Sequence, residues 1–203
     1  MGKLNITKVT KQSEKKLIEK LYNISLMKNP EIKPYQNTLI SLEKIAISSL
    51  SPTQRYIMKT ELEKVKKLYQ ELKNHNTDLF NLNGYATIYL EEHPDFPIDV
   101  LPIIIEESIE KNGNIHLIVN DGMHRCYTAL ELNIIPQVIY VRGVDTDNYP
   151  YYAYPLKHGW KNKFDFLDII PKNYTKKHYR REDYSYLYRN FNSQFNNTSG
   201  MRK

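Results

Sequence analysis

A single cysteine, Cys126, occurs in the 203 residues, so the chain cannot close a disulfide on itself. Long apolar runs are also missing, and nothing approaches the roughly 20 residues that a membrane-spanning helix requires. The opening residues MGKLNITKVTKQSEKK lack the apolar centre of a secretory signal. Ile6 stands where a myristoylation signal beginning Met1-Gly2 has Ser or Thr. These absences predict a cytoplasmic protein that neither spans nor is anchored to a membrane. No internal repeat is visible. What is present suffices for a packed core: 40% of residues are hydrophobic and 12% aromatic. The length fits one domain with additions, or two small ones.

Charge is unevenly placed. Residues 1–80 carry 15 Lys and Arg against 8 Asp and Glu, and residues 81–150 carry 3 against 11. Residues 151–203 return to 11 against 4. A basic–acidic–basic order predicts arms that pack on the middle segment, or that close over an anion bound to it. The acidic middle by itself would be repelled by a DNA backbone.

Helical periodicity marks the first third. Leu17, Ile18, Leu21 and Tyr22 share one face, and the proline-flanked stretch 29–34 ends that segment. A second helix is expected near 37–50. Ser51-Pro52-Thr53-Gln54 has the form of a capping box with proline in the first turn, and it should open a third helix. On that helix Ile57, Leu62, Val65, Leu68 and Leu72 make an apolar stripe. The lysines opposite suit either an anion-binding face or a solvated surface.

From residue 81 the texture changes. Tyr85–Glu92 reads as a strand and His93–Pro97 as a loop. Asp99–Lys111 is expected to be helical, with Asn112-Gly113 as its C-cap. Ile115–Val119 reads as a buried strand, Cys126–Leu132 as a helix, and Pro136–Arg142 as a further strand. Beyond 149 the chain is rich in tyrosine, and a last helix over 181–195 would align Tyr184, Leu187, Tyr188, Phe191 and Phe195.

Asp121-Gly122-Met123-His124-Arg125 joins an expected strand to an expected helix. Such a turn presents unpaired backbone N–H groups and the positive end of a helix dipole, which favours a phosphate. Gly122 permits close approach, Arg125 offers a planar fork and His124 a ring donor. Asp121 can activate a hydroxyl or hold a metal ion.

Read in order, Glu107–Gly113, Ile115–Val119, DGMHR, Cys126–Asn133 and the Ile135-Pro136-led strand are similar to the core of the ParB/sulfiredoxin-like superfamily. The resemblance spans about residues 85–143. It implies a mixed α/β core that holds nucleotide phosphates at the turn. Sulfiredoxins carry Gly-Cys-His-Arg there. Gly122, His124 and Arg125 match, but Met123 replaces the thiol, and a thioether is not a nucleophile. ParB-type CTPases carry Gly-Glu-Arg-Arg, from which Met123 and His124 depart. The free serine kinase-like branch carries Asp-Gly-X-X-Arg, matched by Asp121, Gly122 and Arg125. It implies an aspartate in catalysis and an upstream acidic base, for which Glu91, Glu92 and Asp95 are candidates.

The expected organisation is therefore a helical N-terminal extension (1–80), a nucleotide-binding core (81–148) and a basic, tyrosine-rich C-terminal helical arm (149–203). The expected activity is a nucleotide-dependent phosphotransferase or nucleotide hydrolase, acting with Mg²⁺ and ATP, ADP or CTP on a small hydroxylated substrate. Asp121, Glu91 and Glu92 are the candidate catalytic residues, with Asp121 also the candidate metal ligand. Gly122, Met123, His124 and Arg125 would bind phosphate, and Lys157, Arg180 and Arg181 substrate. The alternative is a nucleic-acid-associated protein that uses its basic arms, with the turn as a regulatory nucleotide site.

Overall fold

Ile6–Ser13, mostly polar with Ile6 buried and Val9 half-buried, forms β1 in the computed structural model; the structure describes residues 4–196. The Ser13 hydroxyl accepts the Lys16 N–H and so caps α1 (Glu14–Tyr22), whose Leu17 and Leu21 are fully buried. β2 (Ser25–Leu26), β3 (Leu39–Lys44) and β4 (Tyr56–Met58) lead to α2 (Lys59–Asn74). β5 (Gly84–Leu90), β6 (His93–Val100), β7 (Ile103–Ile109) and β8 (Ile115–Asp121) then run consecutively into α3 (Met123–Glu131). β9 (Gln137–Arg142), β10 (Asp165–Leu167) and β11 (Arg189–Asn190) complete the order. This is a mixed α/β fold.

Two sheets carry the architecture. One is antiparallel, in the order β1-β5-β6, and the other is mixed, in the order β3-β9-β7-β8. Within the second, β7 runs parallel to β9 and antiparallel to β8. Ile103 and Ile105 enter the core formed with α2 and α3, while Ile104 enters the core formed with α1, Tyr35, Phe191 and Phe195. A strand covered on both faces reads as an unbroken apolar run. That is why the helix expected over Asp99–Lys111 is instead the end of β6 followed by β7.

Several other expectations are corrected. Residues 37–50 hold β3 and a single 3₁₀ turn at Ile47–Ser49, because β9 supplies a full ladder to Leu39–Lys44. Ser51 does not cap a helix. Its N–H donates to the Leu117 carbonyl and its C=O accepts the Val119 N–H, a single parallel bridge to β8, and α2 begins only at Lys59. His93–Pro97 belongs to β6 rather than to a loop. The first 80 residues are thus not simply helical, since they contribute β1 to one sheet and β3 to the other.

No helix forms over 181–195. Tyr184–Leu187 and Phe191–Ser193 are 3₁₀ turns flanking β11, which pairs with β2. The residues expected on one helical face divide between two clusters. Leu187 packs with Tyr151, Tyr152 and Ala153, whereas Phe191 and Phe195 pack with Leu17 and Leu21 of α1. Among the described residues no helix is long and apolar enough to cross a membrane.

Candidate phosphate-binding cleft

β8 ends at Asp121 because Gly122 turns the chain with φ +103°, a left-handed conformation that disfavours a side chain. A Cβ at Gly122 would lie 3.1 Å from the Arg125 guanidinium and 3.2 Å from Ile103 Cγ1, so both side chains would have to give by a few tenths of an ångström. The Cys126 N–H reaches the Gly122 carbonyl at 2.8 Å and closes the first helical hydrogen bond. Met123, His124 and Arg125 precede that bond, so their N–H groups have no acceptor within the helix. The expected helix over 126–132 in fact starts three residues earlier, which places Met123–Arg125 in its first turn.

Arg125 folds back on this turn. It meets Asp121 Oδ2 at 2.6 Å, and its other terminal nitrogen donates to the Leu101 carbonyl. Both side chains are largely buried. His124 Nε2 accepts the Met58 N–H at 3.0 Å, which places the ring proton on Nδ1 in the neutral imidazole. Burial pushes the His124 pKa below its usual value, outweighing the nearby Glu61 and Asp121 carboxylates. Met123 is buried in the core, and so is Cys126, whose thiol burial pushes far up. No thiolate chemistry is available at this turn.

The turn opens on a cleft of about 1030 Å³. All five residues, Asp121 to Arg125, line it. Facing them are Glu61 and Lys64 from the start of α2, the β6–β7 corner at Ile98–Leu101, and a wall from the C-terminal segment that includes Lys176 and Lys177. Lys64 is paired with Glu61 at 2.7 Å, and Lys177 donates to the Tyr151 and Tyr152 hydroxyls.

The remaining candidates lie elsewhere. Glu91 and Glu92 are exposed at the tip of the β5–β6 hairpin, where Asn5 donates to Glu91, and neither lines the cleft. Asp95, exposed on β6, does not reach it either. Lys157 is exposed outside it. Arg180 makes a bidentate pair with Glu110 at 2.7 and 2.6 Å, and Arg181 pairs with Asp183. The sequence offers the lysines of α2 as a candidate anion-binding face without singling out Lys64, and it assigns no role to Glu61 on the same polar face. Lys176 and Lys177 belong to the basic C-terminal arm, but nothing in the sequence distinguishes them from its other cations.

Behind the turn lies a buried polar network. Glu106 on β7 and Arg189 on β11 form an ion pair at 2.5 Å, each side chain only 1% exposed. Tyr35 Oη donates to Glu106 at 2.9 Å, and Asn120, the residue before Asp121, donates to both Tyr35 and Glu106. Burial, reinforced by Glu106, pushes the Tyr35 phenol well up and keeps it a donor. Arg189 also donates to the carbonyls of Tyr149, Pro150 and Leu187, and so fastens the C-terminal segment to the strand beside the turn.

Among the described residues no group of three or more His, Cys, Asp and Glu side chains is arranged to hold a metal ion. Asp121 is the carboxylate of the turn itself, with Glu61 on the facing wall. Such a donor set suits Mg²⁺ only where nucleotide phosphates and water complete its shell.

No curated protein and no solved structure matches this chain. A family model described as the ParB CE domain matches residues 16–163, nearly three quarters of the sequence. The match takes in the turn, α2, α3 and the whole mixed sheet, and it agrees with the superfamily resemblance carried by the DGMHR turn. The chain belongs to the ParB CE domain family.

Proposed function

We propose that this protein binds a nucleotide with its phosphates at the Asp121–Arg125 turn and moves the terminal phosphoryl group to a small hydroxylated acceptor or to water. The observation that carries the reading is that the first turn of α3 opens into a large cleft that Lys64 and Lys176 also line. The Met123, His124 and Arg125 N–H groups would take phosphate oxygens, favoured by the dipole of α3. Arg125 has five N–H donors and so can hold Asp121 and still meet an anion. Neutral His124 keeps its Nε2 on Met58, leaving Nδ1–H as the ring's donor.

Phosphoryl transfer depends mainly on positioning and charge neutralisation. Mg²⁺ bound with the nucleotide would supply part of that neutralisation, with Asp121 as its protein ligand. The acceptor oxygen bonds to phosphorus as the bond to the leaving phosphate breaks, and the acceptor's proton passes to a carboxylate. Among the described residues three carboxylates line the cleft; Asp99 is held by Thr87, the Asn196 N–H and Lys20, so that step falls to Glu61 or Asp121 rather than to Glu91 or Glu92, which do not line it. This assignment follows the free serine kinase-like resemblance in Asp121, Gly122 and Arg125. The competing reading, association with nucleic acid through the basic arms, has fewer open cations than the sequence suggests, because Lys59, Arg180 and Arg181 are paired with Asp168, Glu110 and Asp183.

Thermal unfolding with ATP, ADP or CTP plus Mg²⁺ tests the proposal. A nucleotide at about 100 times its Kd adds about 2.7 kcal/mol. For a chain of this size that raises Tm by about 5–11 °C. Arg125→Ala should remove the shift. If no nucleotide stabilises the protein, or Arg125→Ala responds like the parent, the reading is wrong. Binding to DNA or RNA that falls steeply with salt, without any nucleotide effect, would favour the alternative.

A further inference from the structure

The cleft has a second kind of wall. Tyr56, Tyr152, Tyr174, Tyr179, Tyr184 and Tyr188 all line it, together with the phosphate-binding turn. Tyr179 and Tyr184 stack with centroids 3.7 Å apart and planes 11° from parallel. Tyr152 lies near parallel to Tyr179 and meets Tyr188 edge-on at 4.7 Å, while Tyr56 meets Tyr174 edge-on at 5.7 Å. Tyr152 is buried, but the other five keep part of their surface exposed. Tyr152, Tyr179, Tyr184 and Tyr188 pack with Ile118, Tyr151 and Leu187 and still line a cleft that Lys64 and Lys176 also line. We propose that this wall is a subsite for a planar aromatic ring, so that the ligand is a nucleoside phosphate whose base stacks on the tyrosines, rather than an inorganic polyphosphate or a sugar phosphate.

Three observations support the assignment. Stacking on aromatic side chains is the general way proteins hold a nucleobase without reading its edges, because every base has a π-face. The rings are also held in place before any ligand arrives. Lys177 donates to the Tyr151 and Tyr152 hydroxyls, the Arg180 N–H donates to the Tyr152 carbonyl, and the buried Arg189–Glu106 pair anchors the segment just after Tyr188. A wall fixed in this way loses little freedom on binding. Finally, the wall joins two tyrosines from within the family match, Tyr56 and Tyr152, to four from beyond residue 163, Tyr174, Tyr179, Tyr184 and Tyr188, so distant parts of the chain converge on one ring surface.

The proposal rests on phosphate binding at the turn, and the experiment separates the two. Affinities for ATP, CTP and inorganic tripolyphosphate are measured at one salt concentration by calorimetry, for the parent, Tyr179→Phe, Tyr184→Ala, Tyr184→Leu and Arg125→Ala. At least one nucleotide should bind about tenfold or more tightly than tripolyphosphate. Tyr184→Ala and Tyr184→Leu should reduce that nucleotide to the affinity of tripolyphosphate while leaving tripolyphosphate itself unchanged, which also shows that the cleft remains folded. Tyr179→Phe keeps its ring and should keep the preference. Arg125→Ala should weaken all three ligands. If tripolyphosphate binds the parent as tightly as both nucleotides, the ring subsite is overturned and the phosphate site stands. A nucleotide preference that survives both Tyr184 variants overturns the placement on this wall. If no ligand binds, the subsite and the function proposed above both fall.

Discussion

Removing the carboxylate of Glu106 should be among the most damaging single changes in this protein. The side chain is 1% exposed and accepts hydrogen bonds from Arg189, Tyr35 and Asn120. Glu106→Ala would leave the Arg189 guanidinium charged and buried without a counter-ion, because solvent does not reach it. Breaking such a pair from one side typically costs about 3–5 kcal/mol. That is a large part of the 5–15 kcal/mol by which domains are usually stable. At about 2–4 °C per kcal/mol for a chain of this length, Tm should fall by roughly 6–20 °C. Glu106→Gln keeps an acceptor without the charge and should lie between the two. The double variant Glu106→Leu with Arg189→Met removes both charges and should recover part of the loss. Recovery should be incomplete, since the Tyr149, Pro150 and Leu187 carbonyls lose their shared donor. Urea unfolding of the parent, Glu106→Leu, Arg189→Met and the double variant closes the cycle and gives the coupling energy. A loss below about 1 kcal/mol for Glu106→Ala, or a cycle additive within about 0.5 kcal/mol, would refute the argument that this pair secures the C-terminal segment.

Three further outcomes follow from the turn. Gly122→Ala places a Cβ at φ +103° against Arg125 and Ile103, and should cost about 1–3 kcal/mol in denaturant unfolding while weakening whatever anion the turn binds. If Gly122→Ala matches the parent in both measurements, the close packing around Gly122 is not needed. His124 has a folded pKa below its unfolded value of 6.5, so the unfolded chain binds more protons as pH falls through that value. Stability linked to His124 is then complete above pH 6.5 and is lost on acidification towards the folded pKa. His124→Gln should flatten stability against pH below 6.5, and an unchanged profile would show that the ring titrates as it does in the unfolded chain. Cys126, fully buried and with its thiol pushed up, should resist a thiol reagent in the native protein and react in full once unfolded in urea. Rapid native labelling would contradict that burial.

The acidic middle and basic flanks noted in the sequence acquire a geometric meaning in the fold. Glu106 and Glu110 on and beside β7 are met by Arg189 and Arg180 from the C-terminal segment, and Asp99 on β6 is met by Lys20 of α1. Charge complementarity along the chain has become ion pairing between elements far apart in sequence. The lysines that line the candidate site, Lys64, Lys176 and Lys177, come from the two basic flanks, whereas Lys157, Arg180 and Arg181 of the same C-terminal flank do not line it.

What the sequence determined by itself is the local part. The spacing of Leu17 and Leu21, the stripe Leu62, Val65, Leu68 and Leu72, and the β-rich runs at 85–92, 115–119 and 136–142 each correspond to an element that forms. Asp121-Gly122 announced the turn because only a residue without a Cβ adopts φ +103° there readily. The tertiary structure decided the rest, wherever a partner distant in sequence supplied the hydrogen bonds or the covering surface. Ile103–Ile105 is a strand because β8 and β9 pair with it on either side and both its faces are buried. Residues 181–195 leave the helical path because Arg189 must reach Glu106, with Phe191 and Leu187 turned into separate cores. Glu91 and Glu92 sit at a hairpin tip, while Glu61, Lys64, Lys176 and the tyrosines converge on the turn. Periodicity reports which face of an element is apolar, but only packing sets which face of another element it meets, and the cleft is made of those meetings.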